Sequence, residues 1–193
     1  LMASILSAIA SFFRSSNDSP SDKKILLNIL NLTKEQACHT ELHPDGQAAI
    51  LISPNDHDFF KDLNASMNER LNDLDLSHST VKVIEEDKHG TAWTLVDNDS
   101  FENLVADVDQ ISESIFMAGL GPRMIAAVFK GQFRETTVYW VCNYRTAKFY
   151  PFVPTGNQTR DNELEIDMGD ILIGMGIPVE PHSNWYALWD IPI

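Results

Sequence analysis

Positive charge is scarce in this chain: 14 Lys and Arg stand against 28 Asp and Glu over 193 residues, a formal charge of −14. Nucleic-acid binding draws much of its affinity from neutralised phosphates, so this balance argues against a nucleic-acid partner. Cysteine is sparse as well. Cys38 and Cys142 form neither a CxxC pair nor a secreted disulfide framework, and read as two buried free thiols, with one long-range disulfide as the alternative. No apolar run reaches the roughly 18 residues of a transmembrane helix. GxSxG, HExxH, DFG and GK[ST] do not occur, which removes several hydrolase, metalloprotease, kinase and phosphate-loop readings. Gly119-Leu120-Gly121-Pro122 is no phosphate loop either, because it ends an apolar-periodic segment instead of opening one. Asn-x-Ser/Thr triplets begin at Asn17, Asn31, Asn64, Asn98 and Asn157, but they matter only in a secreted chain. The overall composition points to a cytoplasmic protein.

What is present is material for a core. Hydrophobic residues make up 44% of the chain, with 10 Phe and 4 Trp, in a length suited to one domain. Residues 1–13, LMASILSAIASFF, are followed by Arg14 and preceded by no basic stretch, which reads against a signal peptide. On a helix, Ile5, Leu6, Ile9, Phe12 and Phe13 share a stripe opposite Ser4, Ser7 and Ser11. So short a helix needs a surface to lie on. Its Ser-rich polar face suits a protein surface better than a lipid one. Residues 15–22, SSNDSPSD, read as a linker. The expected organisation is an amphipathic helix over 1–14, a linker over 15–22 and a single domain over 23–193.

Within the domain, helices are expected over 23–32 (capped by Ser21 or Asp22), 56–74, 99–118 (capped by Asp99) and 160–172. Strands are expected over 48–52, 80–84, 91–96, 124–129, 137–143 and 147–153, with His43-Pro44-Asp45-Gly46 breaking the chain before the first. Pro151 and Pro154 mark the last strand as an edge, or as a run that leaves the sheet early. Hairpins without regular βαβ alternation predict an α+β fold: an antiparallel sheet with helices mainly on one face. The element order resembles the type III secretion chaperone-like architecture, a likeness that carries no function.

Candidate chemistry is thin. Cys38, His39 and His43 offer three soft ligands, but a structural zinc site wants four, so Cys142 or His57 would have to complete it. Residues 160–165, RDNELE, gather three carboxylates and one guanidinium at a helix start, where acidic groups favour the helix dipole. No oxyanion donor or nucleophile accompanies them, and no catalytic, metal or cofactor site is assigned. A small metal-dependent or carboxylate-based hydrolase is the alternative to a binding protein. Tyr139, Trp140, Tyr144, Phe149, Tyr150 and Phe152 form an aromatic hairpin beside Arg145 and Lys148, with one face expected as core and the other as a contact surface.

Five blocks carry a family resemblance: GLGPRM at 119–124, YRTAKFYPFVP at 144–154, RDNELE at 160–165, PVE at 178–180 and WYALWDIP at 185–192. Together they resemble the PspA-associated PspAB family, most closely over residues 119–193. The resemblance implies a link to the PspA membrane-stress system, with a PspA-type protein or an HtpX-like membrane protease as partner. It implies no catalytic residues. The expected function is a non-enzymatic adaptor acting in the cytoplasm, peripheral to the inner face of the membrane. Its expected contact residues are Ile5, Leu6, Ile9, Phe12, Phe13, Tyr144, Arg145, Tyr150, Arg160 and Asp161.

Overall fold

The computed structural model describes residues 25–34, 41–53, 73–76, 78–84 and 91–193. The N-terminal stripe from Ile5 to Phe13, the 15–22 linker, the Ser21 and Asp22 caps, Cys38, His39 and His57 lie outside the described residues. So does the helix expected over 56–74, except for residues 73 and 74, which form a turn and a bend.

Six strands form one antiparallel sheet: β1 (Leu42–Ile52), β2 (Thr80–Ile84), β3 (Ala92–Asp97), β4 (Met124–Phe133), β5 (Thr136–Asn143) and β6 (Lys148–Phe152), in the order β2-β3-β1-β4-β5-β6. A short ribbon, β7 (Pro154–Gly156) with β8 (Thr159–Arg160), follows. A 3₁₀ turn at Ile25–Leu30 runs into α1 (Asn31–Lys34). α2 (Phe101–Ile115) continues into a π-helical turn at Phe116–Leu120 and a 3₁₀ turn at Gly121–Arg123, and α3 (Asn162–Gly174) and a 3₁₀ turn at His182–Asn184 follow the sheet. The α+β fold expected from the hairpins is the fold observed.

The two faces of the sheet are covered differently. Ala48, Ile50, Ile52, Phe129, Trp140, Cys142 and Phe149 point to the helical face. There they meet the α2 stripe of Phe101, Leu104, Val105, Val108, Ile111 and Ile115, together with Met168 and Leu172 from α3. Ala49, Leu51, Trp93, Leu95, Val128, Tyr139, Val141, Tyr150 and Phe152 point the other way, where Leu188 and the partly buried Trp185, Tyr186, Trp189, Ile191 and Ile193 pack. Burial on both faces explains why residues 48–52 of β1, 124–129 of β4 and 138–142 of β5 read as continuous apolar runs without polar alternation.

Four local details differ from expectation. The 43–46 segment does not break the chain but lies within β1, where the register shifts between Pro44 and Ala48. Gly46 permits this because a Cβ there would sit 2.3 Å from the Asn98 carbonyl oxygen. The cap of α2 is Ser100, not Asp99: its backbone is extended and its side chain accepts the Asn103 N–H. β4 extends four residues past its expected end and turns into β5 through Arg134 and Glu135, both at positive φ (49° and 62°). Two such residues give the twist a two-residue hairpin requires, here without glycine. Finally, α3 starts at Asn162, with Asp161 as its cap.

Elsewhere the local chemistry works as expected. β6 is an edge strand, and its outer side is bridged by residues 178–180: Phe149 donates to the Pro178 carbonyl, and Glu180 donates back to the Phe149 carbonyl, each at 2.8 Å. α3 closes in a Schellman motif. The Ile177 N–H reaches the Leu172 carbonyl and the Gly176 N–H reaches that of Ile173, with Gly176 at φ 73°.

Candidate functional site

The blocks at 144–154, 160–165, 178–180 and 185–192 lie far apart in sequence and meet around β6. Arg160 leaves β8 with its guanidinium 5.2 Å above the Phe152 ring. Its Nε donates to both oxygens of Glu165 (2.9 and 2.7 Å), Nη2 lies 2.6 Å from Glu165 Oε2, and Nη1 donates to the Trp185 carbonyl at 3.0 Å. Glu165 is fully buried and also accepts the Val153 N–H at 2.8 Å. One carboxylate therefore satisfies a buried backbone donor and neutralises the Arg160 guanidinium, as a buried charge requires. Asp161 completes the corner: its N–H donates to the Val153 carbonyl, and its Oδ1 accepts the Leu164 N–H at 3.0 Å. Together these bonds pin the base of the β7–β8 ribbon to the start of α3.

A second buried carboxylate, Glu180, sits under the β5–β6 turn. Its Oε1 accepts from Asn143 Nδ2 (3.2 Å) and from Thr146 Oγ1, and its Oε2 accepts from Asn184 Nδ2 (3.3 Å). Its backbone carbonyl accepts the Trp185 indole N–H at 2.9 Å. Asn143 uses its Oδ1 for the Arg145 N–H, which closes the turn. The tail is fastened again at its far end, where the Tyr139 hydroxyl donates to the Ile193 carbonyl at 3.0 Å.

The expected contact residues divide sharply. Tyr144 and Tyr150 are interior, so the aromatic hairpin does not offer them to a partner. Tyr144 donates to Ser112 Oγ across 2.5 Å, because that serine's own proton goes to the Val108 carbonyl. Tyr150 is 1% exposed, and its hydroxyl has no hydrogen-bond partner among the described residues. Burial pushes both phenols well up, as it does the Cys142 thiol, where Glu180 adds to the effect. Arg145, Arg160 and Asp161 are partly exposed. Ile5, Leu6, Ile9, Phe12 and Phe13 lie outside the described residues.

Among the described residues no group of three His, Cys, Asp or Glu side chains is gathered to hold a metal ion. Cys142 cannot complete a site with His43. His43 pairs with Gln132 on β4 while Cys142 pairs with Ala127, five residues or about 17 Å along that strand.

Sequence reasoning missed the burial of Glu165 and Glu180, since a lone glutamate reads as solvent-facing. It also missed the seat of Trp185 on α3. A glycine in the middle of a helix, Gly169, was the available signal.

Neither the curated proteins nor the solved structures include a match to this chain, so its likeness to secretion chaperones rests on element order alone. The blocks that converge on β6 do belong to one recognised pattern, which extends over nearly the whole sequence: the chain is a member of the family PspAB, PspA associated protein B, whose model matches residues 4–193.

Proposed function

We propose that this protein is a non-enzymatic adaptor of a PspA-linked envelope-stress response, binding a PspA-type protein or an HtpX-like membrane protease at the cytoplasmic face of the membrane. The observation that carries this reading is the family match across residues 4–193, with the association with PspA that the family's name records.

The use made of the reactive side chains supports it. Asp161 caps α3, Glu165 is spent on Arg160 and the Val153 N–H, and burial holds the Cys142 thiol in its neutral form. A carboxylate hydrolase needs a poised acid and base facing a substrate, and a thiol nucleophile needs its thiolate. No described helix is long and apolar enough to cross a membrane, which is compatible with contact from one side.

The test is pull-down of purified PspA-type protein and of the HtpX-like protease by the full chain and by a form beginning at Ser15. Capture of either by the full chain supports the adaptor, and loss on removing residues 2–14 assigns the contact to the N-terminal stripe. Equal capture by both forms moves the contact to the domain. Capture of neither partner overturns the reading.

A further inference from the structure

α3 is apolar on two sides. Its inner side, Met168 and Leu172, is in the core. Its outer side exposes Ile166 (46%) and Ile173 (60%), two of the three large hydrophobic residues that stand out to solvent among the described residues. They are seven residues apart, two helical turns and about 10.5 Å along one line. Gly169 lies between them on the helix surface, three positions from Ile166 and four from Ile173. The Trp185 ring lies over Gly169, its Cη2 2.6 Å from where a Cβ would be. Trp185 is itself only partly buried, so the indole edge and the two isoleucines make one apolar strip.

One flank of this strip is lined with carboxylates. Glu163, Asp167 and Asp170 are all exposed on the flank of α3 away from Trp185. Asp167 is paired with Arg134 at 2.9 Å, while Glu163 and Asp170 have no ion-pair partner among the described residues. The whole chain carries −14. A second copy of this face would set carboxylates against carboxylates, which opposes self-docking. A partner with apolar residues at heptad spacing and flanking Lys or Arg matches both features.

We infer that the outer face of α3, Ile166 and Ile173 beside Trp185 with the Glu163/Asp170 rim, is a docking surface for a basic amphipathic helix. The inference is independent of the adaptor reading, because it names a partner's chemistry and not its identity. Its test uses a synthetic probe, so either can fail alone.

The probe is a labelled peptide of about five turns with Leu at heptad a and d and Lys at e and g. Its binding to the full chain is followed by fluorescence anisotropy, beside a peptide of the same composition with the heptad order scrambled. The expected result is binding of the patterned peptide that weakens with added salt and gains helical circular dichroism. Ile166→Gln with Ile173→Gln should weaken it about tenfold or more, as loss of central apolar anchors does. Glu163→Gln with Asp170→Asn should flatten the salt dependence. Met117, 71% exposed just beyond the C-terminal end of α2, is the control, and Met117→Gln should leave binding unchanged. All three sets of positions are exposed, and the near-ultraviolet spectrum reports that each variant keeps its native packing. Failure of the full chain to bind, equal binding of the scrambled peptide, or unchanged binding by the double isoleucine variant would each overturn the inference. Binding that appears only after residues 2–14 are removed would overturn it too, assigning the face to the chain's own N-terminal segment.

Discussion

Trp185 and Gly169 are in contact across the α3 surface: a Cβ at position 169 would stand 2.6 Å from the indole Cη2 and 3.0 Å from Cζ2. The indole is held from its other end by the bond from its Nε1 to the Glu180 carbonyl, so it cannot simply slide away. This contact joins the C-terminal tail to the helix and explains a glycine in a helix interior, where alanine is ordinarily preferred.

It follows that Gly169→Ala destabilises the protein, by about 1–3 kcal/mol, because overpacking against a fixed ring outweighs the gain in helix propensity. Gly174→Ala provides the contrast, since nothing lies within 4 Å of its Cβ position and its φ is not positive. There the propensity gain stands alone, and stability rises by roughly 0.5–1 kcal/mol. Urea unfolding of the two variants measures the difference, and a stabilised Gly169→Ala would refute the contact.

Glu165 answers both the Arg160 guanidinium and the Val153 N–H in a buried corner. Glu165→Ala strands both donors and is expected to cost roughly 3–5 kcal/mol. Replacing Arg160 and Glu165 together by Met and Leu removes the stranded charge, so the double variant should be more stable than Glu165→Ala alone. A double-mutant cycle by denaturant unfolding tests this.

Tyr144 and Tyr150 invite opposite predictions for the same change. Tyr144→Phe removes the bond to Ser112, whose own proton remains on the Val108 carbonyl, so the loss should be near 1 kcal/mol. Tyr150→Phe removes a buried hydroxyl that has no partner among the described residues, and stability should hold or rise by about 1 kcal/mol. The midpoint of thermal unfolding should therefore be lowered in Tyr144→Phe and unchanged or raised in Tyr150→Phe.

Alkaline pH should weaken the fold. Burial holds the Cys142 thiol above its ordinary 9.0, and the Tyr144 and Tyr150 phenols above their ordinary 10.0. Their folded pKa values are raised, so the stability they contribute is fully present below the unfolded values and is lost as pH climbs towards the folded ones. Above about pH 9–10 the unfolded chain sheds protons that the folded one keeps, at roughly 1.4 kcal/mol per pH unit for each ionised group. Unfolding free energies measured from pH 8 to 11 should fall, and the fall should be shallower in Tyr150→Phe. A flat profile would mean that these groups are not buried.

The cap of α2 makes a further check. Ser100→Ala should cost about 1 kcal/mol, since Ser100 accepts the Asn103 N–H. Asp99→Ala should cost much less, because Asp99 is not the cap. The sequence could not separate these neighbours, as both are good caps and stand one residue apart.

That near miss is typical of what could be read in advance. The α2 stripe from Phe101 to Ile115 repeats at the helical period, and all six of its apolar residues are buried. Pro151 correctly marks β6 as an edge, because proline has no ladder proton to give. The Pro44-Asp45-Gly46 run misled, because turn residues also serve a register shift inside a strand.

Residue pattern alone, then, determined the α+β class, the α2 and α3 stripes, the hairpin around 145, and family membership. These depend on periods and blocks only a few residues long. Tertiary structure decided what covers each face of the sheet. Alternation tells which residues share a side, but not that the tail from Trp185 to Ile193 will lie on one of those sides and bury Tyr150. It also decided the burial of Glu165 and Glu180, whose donors come from positions up to 37 residues away. A carboxylate can be taken from water only where such donors converge, and that convergence is a property of the folded chain.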